Sequence, residues 1–191
     1  MHPDAEKLLT EYPNITVVEA LITDCNGAAR GKWLPIAKLS SLLTEGIKLP
    51  KSAIAQDAWG RDVPSIALDN GDIDGWCQAI PGSLKPVLGS HGVDQAQVVL
   101  TMFKDNGSPL LSDPRQVLAY VTQALEAKGL YPRVAIELEF NLFDRQTAGQ
   151  SIRDALPKAH QTGGNLYGLT ALDEHQALLE ALRPYFDMQN L

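Results

Sequence analysis

The feature that most restricts the fold is an alternation over nine residues, Val134-Ala135-Ile136-Glu137-Leu138-Glu139-Phe140-Asn141-Leu142. Side chains along a strand point to opposite faces in turn. Val134, Ile136, Leu138, Phe140 and Leu142 then share one unbroken apolar face, and Glu137, Glu139 and Asn141 share the other. The pattern predicts a strand from Arg133 to Phe143 with its two carboxylates about 7 Å apart by strand rise. That spacing suits two hard divalent cations held side by side, each taking one carboxylate. It also fits a half-buried strand whose polar face meets water, although like charges adjacent on one face favour a cation or a basic partner.

The chain before this segment is richer in strands and turns. Residues 4–12 read as a short helix stopped by Pro13, and Ile15 to Thr23 as a strand entering the turn Asp24-Cys25-Asn26-Gly27. Asn-Gly is a strong hairpin signal because both positions tolerate positive φ. The return strand runs from Ala28 to Leu34, and Pro35 opens a helix carrying Leu39, Leu42 and Leu43, ended by Gly46. Residues 50–75 are dense in Pro, Gly and charged side chains and read as loops and turns. Trp76 to Ile80 and Gln97 to Phe103 read as strands, the second followed by the turn Asn106-Gly107. From Asp113-Pro114-Arg115 the pattern changes to a capped helix carrying Val117, Leu118, Val121 and Leu125, closed at Gly129. After the predicted strand comes a long polar stretch over 144–166, then a helix from near Asp173 that Pro184 ends or kinks. The fold class is α+β.

The 191 residues carry 16 basic and 23 acidic side chains, a formal charge of −7. This length makes about one domain and part of another, and the second one, from residue 108, holds too little to close a core of its own. That points to a fragment. Hydrophobic residues at 45% exclude a chain disordered throughout. The acidic balance argues against a nucleic-acid partner. No apolar run approaches the ~18–20 residues that cross a bilayer, and the polar start, Met1 to Lys7, lacks a signal-peptide core. Cys25 and Cys77 have no metal or redox spacing and read as reduced structural thiols of a cytoplasmic protein.

Other candidates carry less. Arg30-Gly31-Lys32 lacks the glycines and the following helix of a phosphate loop and reads as a solvated hairpin end. His2, His91, His160 and His175 have no ligand spacing and read as surface side chains. Trp33, Trp59 and Trp76 read as core or interface residues, with Trp59 also placed to line a pocket. Tyr167 follows glycines and is either a packing residue or one that faces a site.

The segment Glu137-Leu138-Glu139-Phe140-Asn141-Leu142-Phe143 resembles the Glu-x-Glu-Phe-x-Leu-Phe opening of the catalytic domain of the glutamine synthetase family. Asp113-Pro114-Arg115 and the Gly129 stop match the helix that precedes it there. Asp24 to Lys32 resembles the hairpin of the family's N-terminal β-grasp domain, and Asp69 to Asp74 and Pro81 to Val87 also fit that domain. Tyr167-Gly168-Leu169 resembles the segment after the first metal-binding strand. The resemblance implies a β-grasp domain over residues 1–107 and a truncated start of the catalytic domain over 108–191.

It also implies an ATP-dependent ligase that phosphorylates the γ-carboxylate of glutamate and transfers the γ-glutamyl group to ammonia or an amine. Two divalent ions, Mg²⁺ or Mn²⁺, belong to each site, with Glu137 on the ion bridging the ATP phosphates and Glu139 on the second. Asp57 is implied to bind and deprotonate the ammonium or amine in the neighbouring subunit's site, within a homo-oligomeric ring, the plain alternative being a solvated loop aspartate, and Tyr167 is the cofactor-binding candidate. The glutamine-forming version of the Asp57 loop reads Phe-Asp-Gly-Ser-Ser. Here Asp57 is followed by Ala58-Trp59-Gly60, which is more like the branch that makes γ-glutamyl amides of polyamines such as putrescine. Further metal ligands, glutamate-clamping arginines and most of the ATP site are absent from these 191 residues, which are therefore expected to be inactive alone. A non-catalytic β-grasp module that docks onto family members is the rival expectation.

Overall fold

A computed structural model describes residues 1–67, 71–89, 92–137, 139, 140 and 168–190. The chain divides into two units, Met1–Pro132 and Arg133–Leu191.

The first unit begins with α1 (Pro3–Glu11). Proline suits its first turn, where no main-chain donor is needed. His2 is more than a surface side chain: its Nδ1 accepts the Asp4 N–H at 3.2 Å and caps the helix. Strands β1 (Val17–Thr23) and β2 (Ala29–Pro35) form an antiparallel hairpin, Val17 opposite Pro35 and Thr23 opposite Ala29. Helix α2 (Leu39–Glu45) follows a 3-10 turn at Ile36–Lys38 and buries Leu39 and Leu42. Then come β3 (Ile47–Pro50), the short α3 (Pro64–Ala67), β4 (Asp74–Ala79), β5 (Lys85–Gly89) and the long β6 (Gly92–Phe103).

The six strands make one mixed sheet in the order β2-β1-β6-β4-β3, with β5 also paired to β6. β1 and β6 run parallel at its centre, while every other pair is antiparallel. Period-2 alternation fixes the buried face. Val18, Ala20 and Ile22 of β1, Ala96, Val98, Leu100 and Met102 of β6, and Cys77 of β4 all turn inward. Ala5 and Leu8 of α1 and Leu39 and Leu42 of α2 close over them in a single cluster. Each fully buried large aliphatic side chain contributes about 1.5–3 kcal/mol. Burial, followed by the nearby Asp113 charge, pushes the Cys77 thiol up to about 12, so it stays protonated as a core residue. Both cysteines are free thiols.

Helix α4 (Pro114–Glu126) closes this unit. Asp113 is fully buried and does more than cap it. Its Oδ1 accepts the Arg115 N–H at 2.8 Å, while Oδ2 accepts the Met102 N–H at 2.7 Å and the Thr101 hydroxyl at 2.8 Å. Gln116 Nε2 then donates to Thr101 Oγ1 at 2.9 Å. One carboxylate thus fastens the start of α4 to the end of β6. Within this unit Val117, Leu118, Tyr120 and Val121 of α4 remain exposed.

In the second unit, the described part of the predicted strand from Arg133 to Phe143 forms no ladder. Residues 133–137, 139 and 140 carry no regular structure, and Val134, Ile136 and Phe140 are exposed. Alternation stabilises a strand only when a neighbour supplies ladder bonds and another layer covers its apolar face, and no described segment does either. Leu138 and the polar stretch over 144–166 lie outside the described residues. The terminal helix starts earlier than the sequence suggests, as α5 (Leu169–Glu174), breaks at His175, and continues as α6 (Gln176–Gln189) with Pro184 inside it. The missing proline N–H removes one internal bond without ending the helix.

Candidate active site

Two turns of the same design stand together in the first unit. In Asp24-Cys25-Asn26-Gly27-Ala28, the Gly27 N–H donates to Asp24 O and the Asp24 N–H to Ala28 O, both at 3.0 Å. In Asp57-Ala58-Trp59-Gly60-Arg61, the Gly60 N–H donates to Asp57 O at 2.9 Å and the Asp57 N–H to Arg61 O at 2.8 Å. Each is a three-residue hairpin loop whose last residue is left-handed, with φ of 80° at Gly27 and 78° at Gly60. A side chain there would strain the turn. Asn26 itself has negative φ, so the expected two-residue Asn-Gly turn is replaced by this wider one.

The aspartate that opens each turn also organises it. Asp24 Oδ1 accepts the N–H groups of Asn26 at 2.9 Å and Ala28 at 2.8 Å, and Oδ2 accepts Arg30 Nε–H at 3.0 Å. Its side chain has 0% exposure, against 41% for Arg30. Arg30 is therefore the counterion of a buried carboxylate, which corrects its reading as a solvated hairpin end. Asp57 Oδ1 likewise accepts the N–H groups of Trp59 at 2.9 Å and Arg61 at 3.0 Å. Its Oδ2 receives Arg61 Nε at 2.8 Å and Nη2 at 2.7 Å.

The first turn holds the second. Asn26 Nδ2 donates to the main-chain oxygens of Gln56 and Asp57, both at 3.0 Å. Val63 N–H to Ala55 O at 2.9 Å closes the base of the Asp57 loop. Asp57 is thus a side chain on a braced loop, with Trp59 beside it 81% exposed. Asn26 is the bracing residue that the sequence did not disclose. The contact spans some thirty positions, and its only trace is the repeated Asp-x-x-Gly spacing.

Burial would raise the Asp24 pKa, but the Ala28 amide, the Arg30 side chain and the Asn26 amide outweigh it and hold the carboxyl below its ordinary 3.8. The Arg61 side chain first, then the Arg61 and Trp59 amides, likewise lower Asp57. A folded-state pKa below the unfolded one gives stability that is complete above the unfolded value and disappears as pH falls through the folded value. The difference in urea midpoint between the native chain and Asp24→Asn is therefore expected to be constant from about pH 7 to pH 5 and to shrink below about pH 4. A difference that grows on acidification would contradict the assignment.

Glu137 and Glu139 lie in the second unit and are both exposed. Tyr167 lies outside the described residues. Among the described residues no group of three or more His, Cys, Asp or Glu side chains is arranged to hold a metal ion. The donors are right in kind, since hard cations take carboxylate oxygen, but too few, since each such ion takes about six oxygen ligands. The described residues of this chain alone do not make a complete metal centre. Among them no helix is long and apolar enough to cross a membrane.

Residues 111–191 match the family model of the glutamine synthetase catalytic domain. This part of the chain is similar to the catalytic domain of the glutamine synthetases. Over 145 residues it is 39% identical to the gamma-glutamylputrescine synthetase PuuA of Escherichia coli (strain K12), an alignment covering 75% of this chain and 30% of that protein. A contiguous stretch that long includes Asp57, Glu137 and Glu139 wherever it begins. Among solved structures, a GmaS complex with ADP aligns with a TM-score of 0.52 at 19% identity, over 67% of this chain and 26% of that one. A glutamine synthase homolog aligns at 0.51 and 20% identity, over 60% and 27%. These last two likenesses concern the fold. The chain spans about a third or less of the length of the relatives it matches.

Proposed function

We infer that this chain is part of an ATP-dependent carbon–nitrogen ligase that activates the γ-carboxylate of glutamate as γ-glutamyl phosphate and passes it to an amine. The observation that carries the reading is the 39% identity to a gamma-glutamylputrescine synthetase across the stretch holding Asp57, Glu137 and Glu139. The loop chemistry supports an amine over ammonia, because Ala58 and Trp59 stand where the glutamine-forming pattern has Gly and Ser.

In this reading residues 1–107 are a β-grasp domain, supported by the β1–β2 hairpin, the parallel β1–β6 pair and α2 against the sheet. Residues 108–191 open the catalytic domain. Glu137 and Glu139 would each hold one Mg²⁺ or Mn²⁺ ion, the first serving the ATP phosphates and the second glutamate, and Tyr167 is the cofactor-binding candidate. Asp57 takes the amine of the neighbouring subunit's site in a cytoplasmic homo-oligomeric ring. Phosphoryl transfer needs positioning and charge neutralisation above all, which oxygen-bound cations supply.

Two glutamates are too few for two hard cations. Glutamate-dependent ADP release is accordingly expected to be undetectable from the purified 191 residues and to arise when the rest of the family's length is joined to them. Turnover by the 191 residues alone would overturn this part of the reading. The exposed apolar side chains of α4, Leu118 and Tyr120 among them, also suit a non-catalytic module that docks onto family members. Binding to such a member with no gain in turnover from the longer protein would favour that alternative.

A further inference from the structure

The Asp57 loop presents a carboxylate oxygen and an indole face to the same cation. Arg61 reaches Asp57 Oδ2 through Nε at 2.8 Å and Nη2 at 2.7 Å, and its guanidinium carbon lies 5.2 Å from the centre of the Trp59 ring. A carboxylate beside an aromatic face is a general receptor for organic cations, ammonium as well as guanidinium. The carboxylate wall is fixed and the occupant is not. Asp57 Oδ1 is held by two main-chain N–H groups, and Asn26 braces the loop from the β1–β2 turn. The Arg61 side chain is 73% exposed, and the Asp57 side chain 27%. Water and other cations therefore reach the pair from the Arg61 side, where screening weakens it.

We propose that Asp57 and Trp59 form a cation site that the chain's own Arg61 occupies, and that an alkylammonium ligand enters by displacing the Arg61 side chain. This rests on the amine-ligase reading for its purpose, though not for its geometry. Arg61 is then a specificity-determining residue. It competes with every amine, and a ligand must bring more than one weak contact to replace it. A polyamine does so through its second charge and methylene chain, whereas ammonium has neither.

The test is a titration of the 191-residue chain with putrescine at constant ionic strength, following the indole N–H resonance of Trp59 by NMR, assigned by its loss in Trp59→Phe. Arg61→Gln is expected to lower the midpoint at least about fivefold relative to the native chain, because the competitor is gone. Arg61→Lys, which keeps a cation in place, is expected to stay near the native midpoint, and Asp57→Asn in the Arg61→Gln background to abolish the shift. Equal midpoints in the native chain and Arg61→Gln would overturn the proposal, and so would unchanged binding after Asp57→Asn. The ligase reading fails separately. If Arg61→Gln binds putrescine more tightly while the longer protein uses only ammonium, the cation site stands and the acceptor assignment falls. If the midpoints are equal while that protein prefers putrescine, the acceptor assignment stands and the occupancy of the site by Arg61 falls.

Discussion

Replacing Asp113 by alanine is expected to lower the unfolding free energy of the first unit by about 3 kcal/mol, the sum of a lost helix cap and a buried amide left without an acceptor. Asp113 is fully buried and accepts from Arg115, Met102 and Thr101. Alanine would strand the Met102 N–H in the core, where water cannot reach it, and would free the start of α4 from β6. Asp113→Asn keeps one acceptor oxygen and is expected to lose less. Urea titration of the three chains checks this, and a loss below about 1 kcal/mol for alanine would mean that the carboxylate caps the helix and no more.

The second large effect concerns Glu137 and Glu139. In a protein that joins this chain to the remaining length of the family, alanine at either position is expected to reduce glutamate-dependent ADP release by about 100-fold or more, the scale seen when one element of a preorganised electrostatic site is removed. The proposed roles make the two variants differ. Loss of the metal ligand at Glu137 should weaken ATP use most, and loss at Glu139 should weaken glutamate use most. Raising Mg²⁺ or Mn²⁺ should recover part of the activity, because a weakened site refills by mass action. Near-native activity in both variants would return the pair to the plain reading of solvated surface carboxylates.

Much of the fold was legible because its signals are local. A run of β-branched and apolar residues marked β1, Asn-Gly and Pro35 bracketed β2, and Asp113-Pro114 announced α4. Strand β3 escaped notice because it has only four residues and ends in proline, and β5 because Pro86 interrupts its pattern. The predicted strand around Glu137 has a clear alternation, yet a ladder is a property of two strands, and no described segment pairs with it. At the candidate site, the Asp57 loop and its departure from Gly-Ser-Ser were legible in the sequence through the family resemblance. The brace from Asn26 and the burial of Asp24 with Arg30 were not, because both arise where hairpin tips and strand ends meet after folding.

The central claim is that this chain serves a ligase whose acceptor is an amine. The most direct measurement gives the longer protein glutamate and ATP with ammonium and putrescine in competition, and quantifies the two γ-glutamyl products. The account predicts γ-glutamylputrescine as the dominant product, with the preference falling sharply when Asp57 is replaced by asparagine. Glutamine as the dominant product, unaffected at Asp57, would contradict it.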